Sequence, residues 1–237
     1  MDRHRRLPRP GHGARGLAAR TGAIVHFSMR QTVKSGLART LGIRQHLASQ
    51  DAVLLTFDDG PEPTLTEQIL ARLRHYRARA VFFSVGYQVE RAGHLLKAVL
   101  RDGHEIGNHS FAHPLDAPPT VSSAIEDLTR CQAVIQAQIG APPKLFRPPF
   151  GAIRLRNVLA ARALKLKTVL WSVDSHDWEI SSARQADERG RLLAATVVPG
   201  DIVLLHEHNE HVLTVLDHLL PSLKARGIDV SRGVELL

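Results

Sequence analysis

Short apolar runs rich in β-branched and aromatic residues recur at 53–57, 81–85, 105–109, 145–148, 168–173, 202–206 and 228–230. They have the length and composition of buried strands. Between them the spacing changes to that of helices. Leu65, Ile69 and Leu73 repeat every four residues; Val121, Ile125, Leu128, Ile135 and Ile139 share one stripe; Val212, Val215, Leu216, Leu219 and Leu223 share another. Gly103, Gly140 and Gly227 stand where such helices must stop. Seven strands alternating with helices predict an α/β fold on a parallel sheet, as one layered sheet or one barrel.

Composition agrees with a globular domain and removes several classes. Of 237 residues, 43% are hydrophobic and 23% charged, which excludes wholesale disorder, collagen and coiled coil. The single cysteine, Cys131, leaves no internal disulfide and no thiolate metal cluster, and its helical position predicts an inert, packed thiol. No stretch approaches the roughly 18–20 apolar residues of a membrane span.

The net charge of +8 belongs to one end. Residues 1–50 carry ten Lys or Arg against the single acid Asp2, a charge of +9, while 51–237 carry 21 basic and 22 acidic residues. The main domain, 51–237, is therefore almost neutral, and nucleic acid is not an expected partner for it. Residues 1–22 are rich in Arg, Gly and Pro. They read as a disordered tail, with two alternatives: a polybasic arm making weak contact with anionic lipid or cell-wall polymer, or an upstream extension that a start at Met29 would remove. Residues 31–48 carry a pattern that can form a helix leading into the domain. No secretory core follows the basic segment, so the expected location is cytoplasmic.

Where the polar residues fall changes the picture most. Asp58 and Asp59 follow the first predicted strand, His109 and His113 the third, Arg147 the fourth, Asp174, Asp177 and Trp178 the fifth, and His206 the sixth. Parallel strands put all their C-terminal ends on one rim, where such folds build active sites. His109 and His113 with a carboxylate form a two-His-one-carboxylate set suited to a first-row divalent ion, although His-x3-His alone describes surface histidines equally well. Asp58 and Asp59 can serve as ligand and general base, or simply open an Asp-Gly-Pro turn. Arg147 can hold a carboxylate bidentately or form a structural ion pair. Trp178 can stack on a sugar or fill core. His206 can act as a general acid if a carboxylate supports it. Glu207, His208 and His211 read as solvated neighbours.

Taken together, these segments resemble the polysaccharide deacetylase family, the NodB homology domain of the fourth carbohydrate-esterase family. Its five motifs occur in order: Thr56-Phe57-Asp58-Asp59-Gly60-Pro61, His109-Ser110-Phe111-Ala112-His113, Arg147-Pro148-Pro149-Phe150, Asp174-x-x-Asp177-Trp178 and Leu204-Leu205-His206. The resemblance covers about residues 51–237. It implies a distorted, incomplete (β/α) barrel with about seven parallel strands. It also implies a hydrolase that removes N-acetyl groups from N-acetylglucosamine-containing oligo- or polysaccharide.

By the same resemblance, Asp59, His109 and His113 bind a divalent metal, zinc foremost, with cobalt, nickel, iron or manganese as alternatives. Asp58 is the base that activates water, Arg147 orients it, and His206 is the acid supported by Asp177. Trp178 and Leu204 line a pocket for the acetyl methyl, and the main-chain N–H of Phe150 helps hold the oxyanion. The chain departs from the family pattern at Phe150, where tyrosine is usual, and at Glu207, where aspartate often stands. Two further readings are an O-acetyl esterase on acetylated polysaccharide and a non-catalytic carbohydrate-binding protein.

Overall fold

A computed structural model describes residues 42–115 and 118–237. The expected basic tail and most of the helix expected over 31–48 lie outside the described residues. Where that helix enters them, the chain is extended instead: Arg44 bridges Val169 and His46 bridges Asp201. Ile43 and Leu47 are buried, so packing of the domain begins ahead of residue 51.

In chain order the elements are β1 (Leu54–Asp58), α1 (Leu65–His75), β2 (Ala80–Ser84), α2 (Gly86–Ala92), α3 (Leu96–Arg101) and β3 (Glu105–Asn108). They continue with α4 (Val121–Ile139), β4 (Leu145–Phe146), α5 (Leu155–Ala163), β5 (Lys167–Thr168), β6 (Val173–Asp174), α6 (Ala183–Thr196), β7 (Ile202–His206) and α7 (Val212–Ala225). The strands form one seven-stranded sheet in the order β5-β4-β3-β2-β1-β7-β6. Every pairing is parallel. The sheet curls into an incomplete barrel whose edge strands, β5 and β6, do not pair with each other.

Two expected strands are corrected. The run at 168–173 is not one strand but two short ones, β5 and β6, with a break between them. The break has a reason: the carbonyls of Val169 and Leu170 accept hydrogen bonds from the Arg147 guanidinium at 3.1 Å each, not from a neighbouring strand. The run at 228–230 makes only an isolated bridge, Ala52 to Asp229.

Strand alternation divides the core. Leu55 and Phe57 of β1, Phe82 of β2 and Val203 and Leu205 of β7 pack under the helices. Leu54, Val81, Phe83, Leu145 and Ile202 fill the barrel interior with Leu47 and Val169. Because side chains alternate along a strand, Thr56 and Asp58 share the interior face with Leu54, and Leu204 and His206 share it with Ile202. The register sets Asp58 beside His206 and Ser84 beside Asn108, which aligns the C-terminal ends of β1, β7 and β3.

The helices follow their stripes. In α4, Thr120 caps the first turn through a reciprocal bond with Ser123, and Gly140 ends the helix at φ 85, a left-handed conformation that glycine adopts without a Cβ clash. Cys131 is buried on this helix, its thiol pushed up to about 12 by burial, in keeping with an inert role. No helix among the described residues is long and apolar enough to cross a membrane.

Candidate active site

The rim expected from the sequence exists, and the loops that form it are tightly specified. Asp58 ends β1 on the interior face and is 3% exposed. The next residue leaves strand geometry: Asp59 has φ 73. After β3, buried Asn108 accepts from the Ser110 N–H at 2.8 Å and donates to the Leu128 carbonyl at 2.9 Å. Asp127 of α4 then accepts from the N–H groups of Phe111 and Ala112, and Ser110 Oγ accepts from the His113 N–H at 2.9 Å. These bonds fold the turn that carries both histidines. Ser110, His113, Phe150 and His176 also have positive φ, at 66, 46, 56 and 51. Non-glycine residues held there cost about 1–3 kcal/mol each and tend to gather where function requires an unusual geometry.

Three side chains meet where a metal was expected. Asp59 Oδ1 lies 3.3 Å from His113 Nε2 and 3.6 Å from His109 Nε2. The ligand atoms of the three all fall within 4.8 Å of one another. His109 Nδ1 is 2.7 Å from the Arg147 carbonyl, which can only accept, so Nδ1 is the donor there and Nε2 is the nitrogen that faces Asp59. Burial and the neighbouring His109 hold His113 below the ordinary imidazole value, against the pull of Asp59 and Asp58. Burial works against the Asp59 carboxylate, but the His208 hydrogen bond and the three nearby imidazoles hold its pKa well below the usual carboxylate range. Two neutral imidazoles and one carboxylate are the donor set that zinc and related divalent ions accept.

Beside them stand two carboxylates with different tasks. Arg147, fully buried, donates to Asp58 Oδ1 at 2.7 Å and to Thr56 Oγ1 at 2.8 Å. Its guanidinium also lies over the Phe83 ring, 4.2 Å from the centroid. Asp58 Oδ2 is left facing the site, 3.5 Å from His109 Nε2. Across the sheet, His206 Nδ1 donates to Asp177 Oδ1 at 2.7 Å. Asp177 is itself fixed by the Ser175 hydroxyl and the His206 N–H. Burial disfavours the imidazolium, but the bond and charge of Asp177, with Asp58 and Asp59 beyond, raise His206 to about 9. His206 therefore holds a proton at neutral pH.

Asp58, Asp59, His109, His113 and His206 line one cavity of about 430 Å³. Phe150, Trp178 and Leu204, expected from the sequence, line it too. Phe150 is 59% exposed and sits edge-on to His113, and Trp178 is 49% exposed, so neither is core. Leu204 is buried at the floor. Trp171, not singled out in the sequence, and His208, read there as a solvated neighbour, line the same cavity.

Glu207 was expected to be solvated; it is fully buried. The reason is strand parity: with His206 pointing inward, Glu207 points outward beneath α1, where Thr66 Oγ1 donates to it at 2.5 Å. The close approach requires Gly60, since a Cβ there would stand 1.7 Å from Glu207 Oε2. Burial, then the charges of Asp59, Asp58 and Glu62, push its carboxyl from 4.5 up to about 8, against the Thr66 bond. The acid is thus protonated in the fold and ionised in the unfolded chain between those values, so stability falls as pH rises from 4.5 to 8. Glu207→Gln, isosteric with the protonated acid, is expected to lose this slope. Urea unfolding of the metal-free protein should show it more stable than wild type by about 3–5 kcal/mol at pH 8 and level with it at pH 4. Parallel pH curves for the two proteins would contradict the buried-acid assignment.

Comparison with known proteins agrees with the geometry. The family described as polysaccharide deacetylase matches residues 47–169. The chain belongs to the polysaccharide deacetylase family. It is 36% identical over 194 residues to a peptidoglycan-N-acetylglucosamine deacetylase of Bacillus cereus, covering 80% of this chain and 89% of that one. It is 35% identical over 198 residues to a chitooligosaccharide deacetylase of a Bradyrhizobium strain, covering 76% and 87%. A solved peptidoglycan N-acetylglucosamine deacetylase superposes with a TM-score of 0.75 at 28% identity, covering 82% of this chain and 92% of that one. As a member of the family the chain is a hydrolase, and the incomplete barrel is the fold it was expected to have.

Proposed function

We propose that this deacetylase removes the acetyl group from N-acetylglucosamine residues of an oligo- or polysaccharide, with a divalent metal, zinc foremost, held by Asp59, His109 and His113. The observation that carries the reading is the division of labour in one cavity. The free oxygen of Asp58 and a protonated His206 flank the converging side chains of Asp59, His109 and His113. The names of the relatives, acting on peptidoglycan and on chito-oligosaccharide, support the sugar class.

The metal when bound supplies a Lewis acid toward the acetamide carbonyl and the attacking water. The chain's own residues do the rest. Asp58, with one oxygen tied to Arg147, accepts the proton of water on the other. The Phe150 N–H faces the oxygen that gains charge. His206, oriented by Asp177, gives its proton to the departing nitrogen, without which an amine is a poor leaving group. Trp178 and Leu204 bound the acetyl methyl, and each extra methylene would cost about 1–3 kcal/mol in such a pocket.

A strongly held proton on His206 favours an amide over an O-acetyl ester, because an alkoxide leaves with less help. The test is acetate release from chito-oligosaccharide by the chelator-treated protein with Zn²⁺ restored, beside an O-acetylated xylan. Zn²⁺-dependent release from the amide substrate, exceeding that from the ester, is the expected result. Stoichiometric Zn²⁺ binding with release from the ester alone would replace the amidase reading.

A further inference from the structure

His208 lies two residues beyond the family's last motif and was read as solvated, yet it touches both halves of the site. Its Nδ1 is 3.1 Å from Asp59 Oδ2, while the other oxygen, Oδ1, is the one that faces His113 and His109. Its ring stands edge-on to His206 at 5.2 Å. The position is built in. The Glu207 N–H donates to the Asp58 carbonyl at 2.9 Å, and the Glu207 side chain is locked under α1 by Thr66. Glu207, the residue that leads into His208, is thus pinned through both its backbone and its side chain.

Asp59 needs such a partner. It stands outside the strand on left-handed backbone and its side chain is 24% exposed, the least enclosed of the three expected ligands beside His109 at 2% and His113 at 19%. A carboxylate so placed can rotate and present either oxygen. Outer partners that fix a ligand's orientation typically govern 10–100-fold of metal affinity.

We propose that His208 is a positioning residue for the metal: by donating from Nδ1 to Asp59 Oδ2 it reserves Oδ1 for the ion and couples the ligand set to the segment carrying His206. This rests on the metal reading above. Asparagine places an amide N–H near the position of imidazole Nδ1, so it can keep the bond without the ring.

The test compares Zn²⁺ dissociation constants of wild type, His208→Ala and His208→Asn by competition with a chromogenic chelator. Thermal melts of the metal-free proteins control for folding, which a 43% exposed side chain should not disturb. His208→Ala is expected to bind Zn²⁺ about 10–100-fold more weakly. His208→Asn is expected to return to within about threefold of wild type, since the bond and not the ring is what positions Asp59. Unchanged affinity in His208→Ala overturns the inference while leaving the metal reading intact. Equal weakness of both variants overturns it as well, because the imidazole itself would then be required. A wild-type chain that takes up no Zn²⁺ overturns the metal reading and this inference with it.

Discussion

Asp58→Asn should lower deacetylation by about 10²–10⁴-fold while the protein still binds its metal, because the amide cannot accept the proton of the attacking water. The separation of roles makes this a sharp expectation. Asp59 Oδ1 reaches both histidine nitrogens that would share the ion with it, whereas Asp58 approaches only His109 and spends one oxygen on Arg147. The variant keeps that oxygen as an acceptor, so the geometry around Arg147 survives, although the guanidinium loses its nearest counter-charge. Its remaining partners are Thr56 Oγ1 and the carbonyls of Val169 and Leu170. Steady-state acetate release at fixed, verified Zn²⁺ occupancy is the measurement. Activity within tenfold of wild type would remove Asp58 from the role of base.

The second large effect is on stability. Arg147→Met is expected to destabilise the protein by about 3–5 kcal/mol, the range seen when one partner of a buried ion pair is removed. The charge left behind, Asp58, is only 3% exposed. Two strand-gap carbonyls and the Thr56 hydroxyl also lose their donor. Most of the loss should come from the stranded carboxylate. The double variant with Asp58→Asn should therefore recover more than about 1 kcal/mol relative to Arg147→Met alone, a coupling that denaturant unfolding of the four proteins measures. Additive losses would show that packing against Phe83, not the ion pair, sets the cost.

Much of this site is legible in the sequence because polar residues interrupt apolar runs at their C-terminal ends. Asp58, His109 and His206 each close such a run, and parallel strands bring those closures together. The exceptions have local causes. The run at 168–173 has the composition of one strand, but the carbonyls at Val169 and Leu170 are committed to Arg147, a partner more than twenty residues upstream that no periodicity announces. Glu207 looks like an ordinary charged residue after a strand. Counting alternation from inward His206 would have turned it toward α1, and Gly60 opposite it is the complementary signal. His208 then returns to the rim by the same parity. Trp171 sits in the break between β5 and β6, so its approach to the cavity depends on that break and not on any pattern of its own.

The order of strands has a consequence for the making of the protein. β1 sits between β2, which follows it closely, and β7, which pairs Leu54 with Ile202 and Asp58 with His206. On a ribosome the base and the three expected ligands emerge within the first 113 residues, whereas the acid and the strand that covers β1 arrive only near residue 206. Until then one side of this fully buried strand presents bare N–H and C=O groups, an open template for another chain. Synthesis speed through the second half, and chaperone shelter during it, therefore bear on yield.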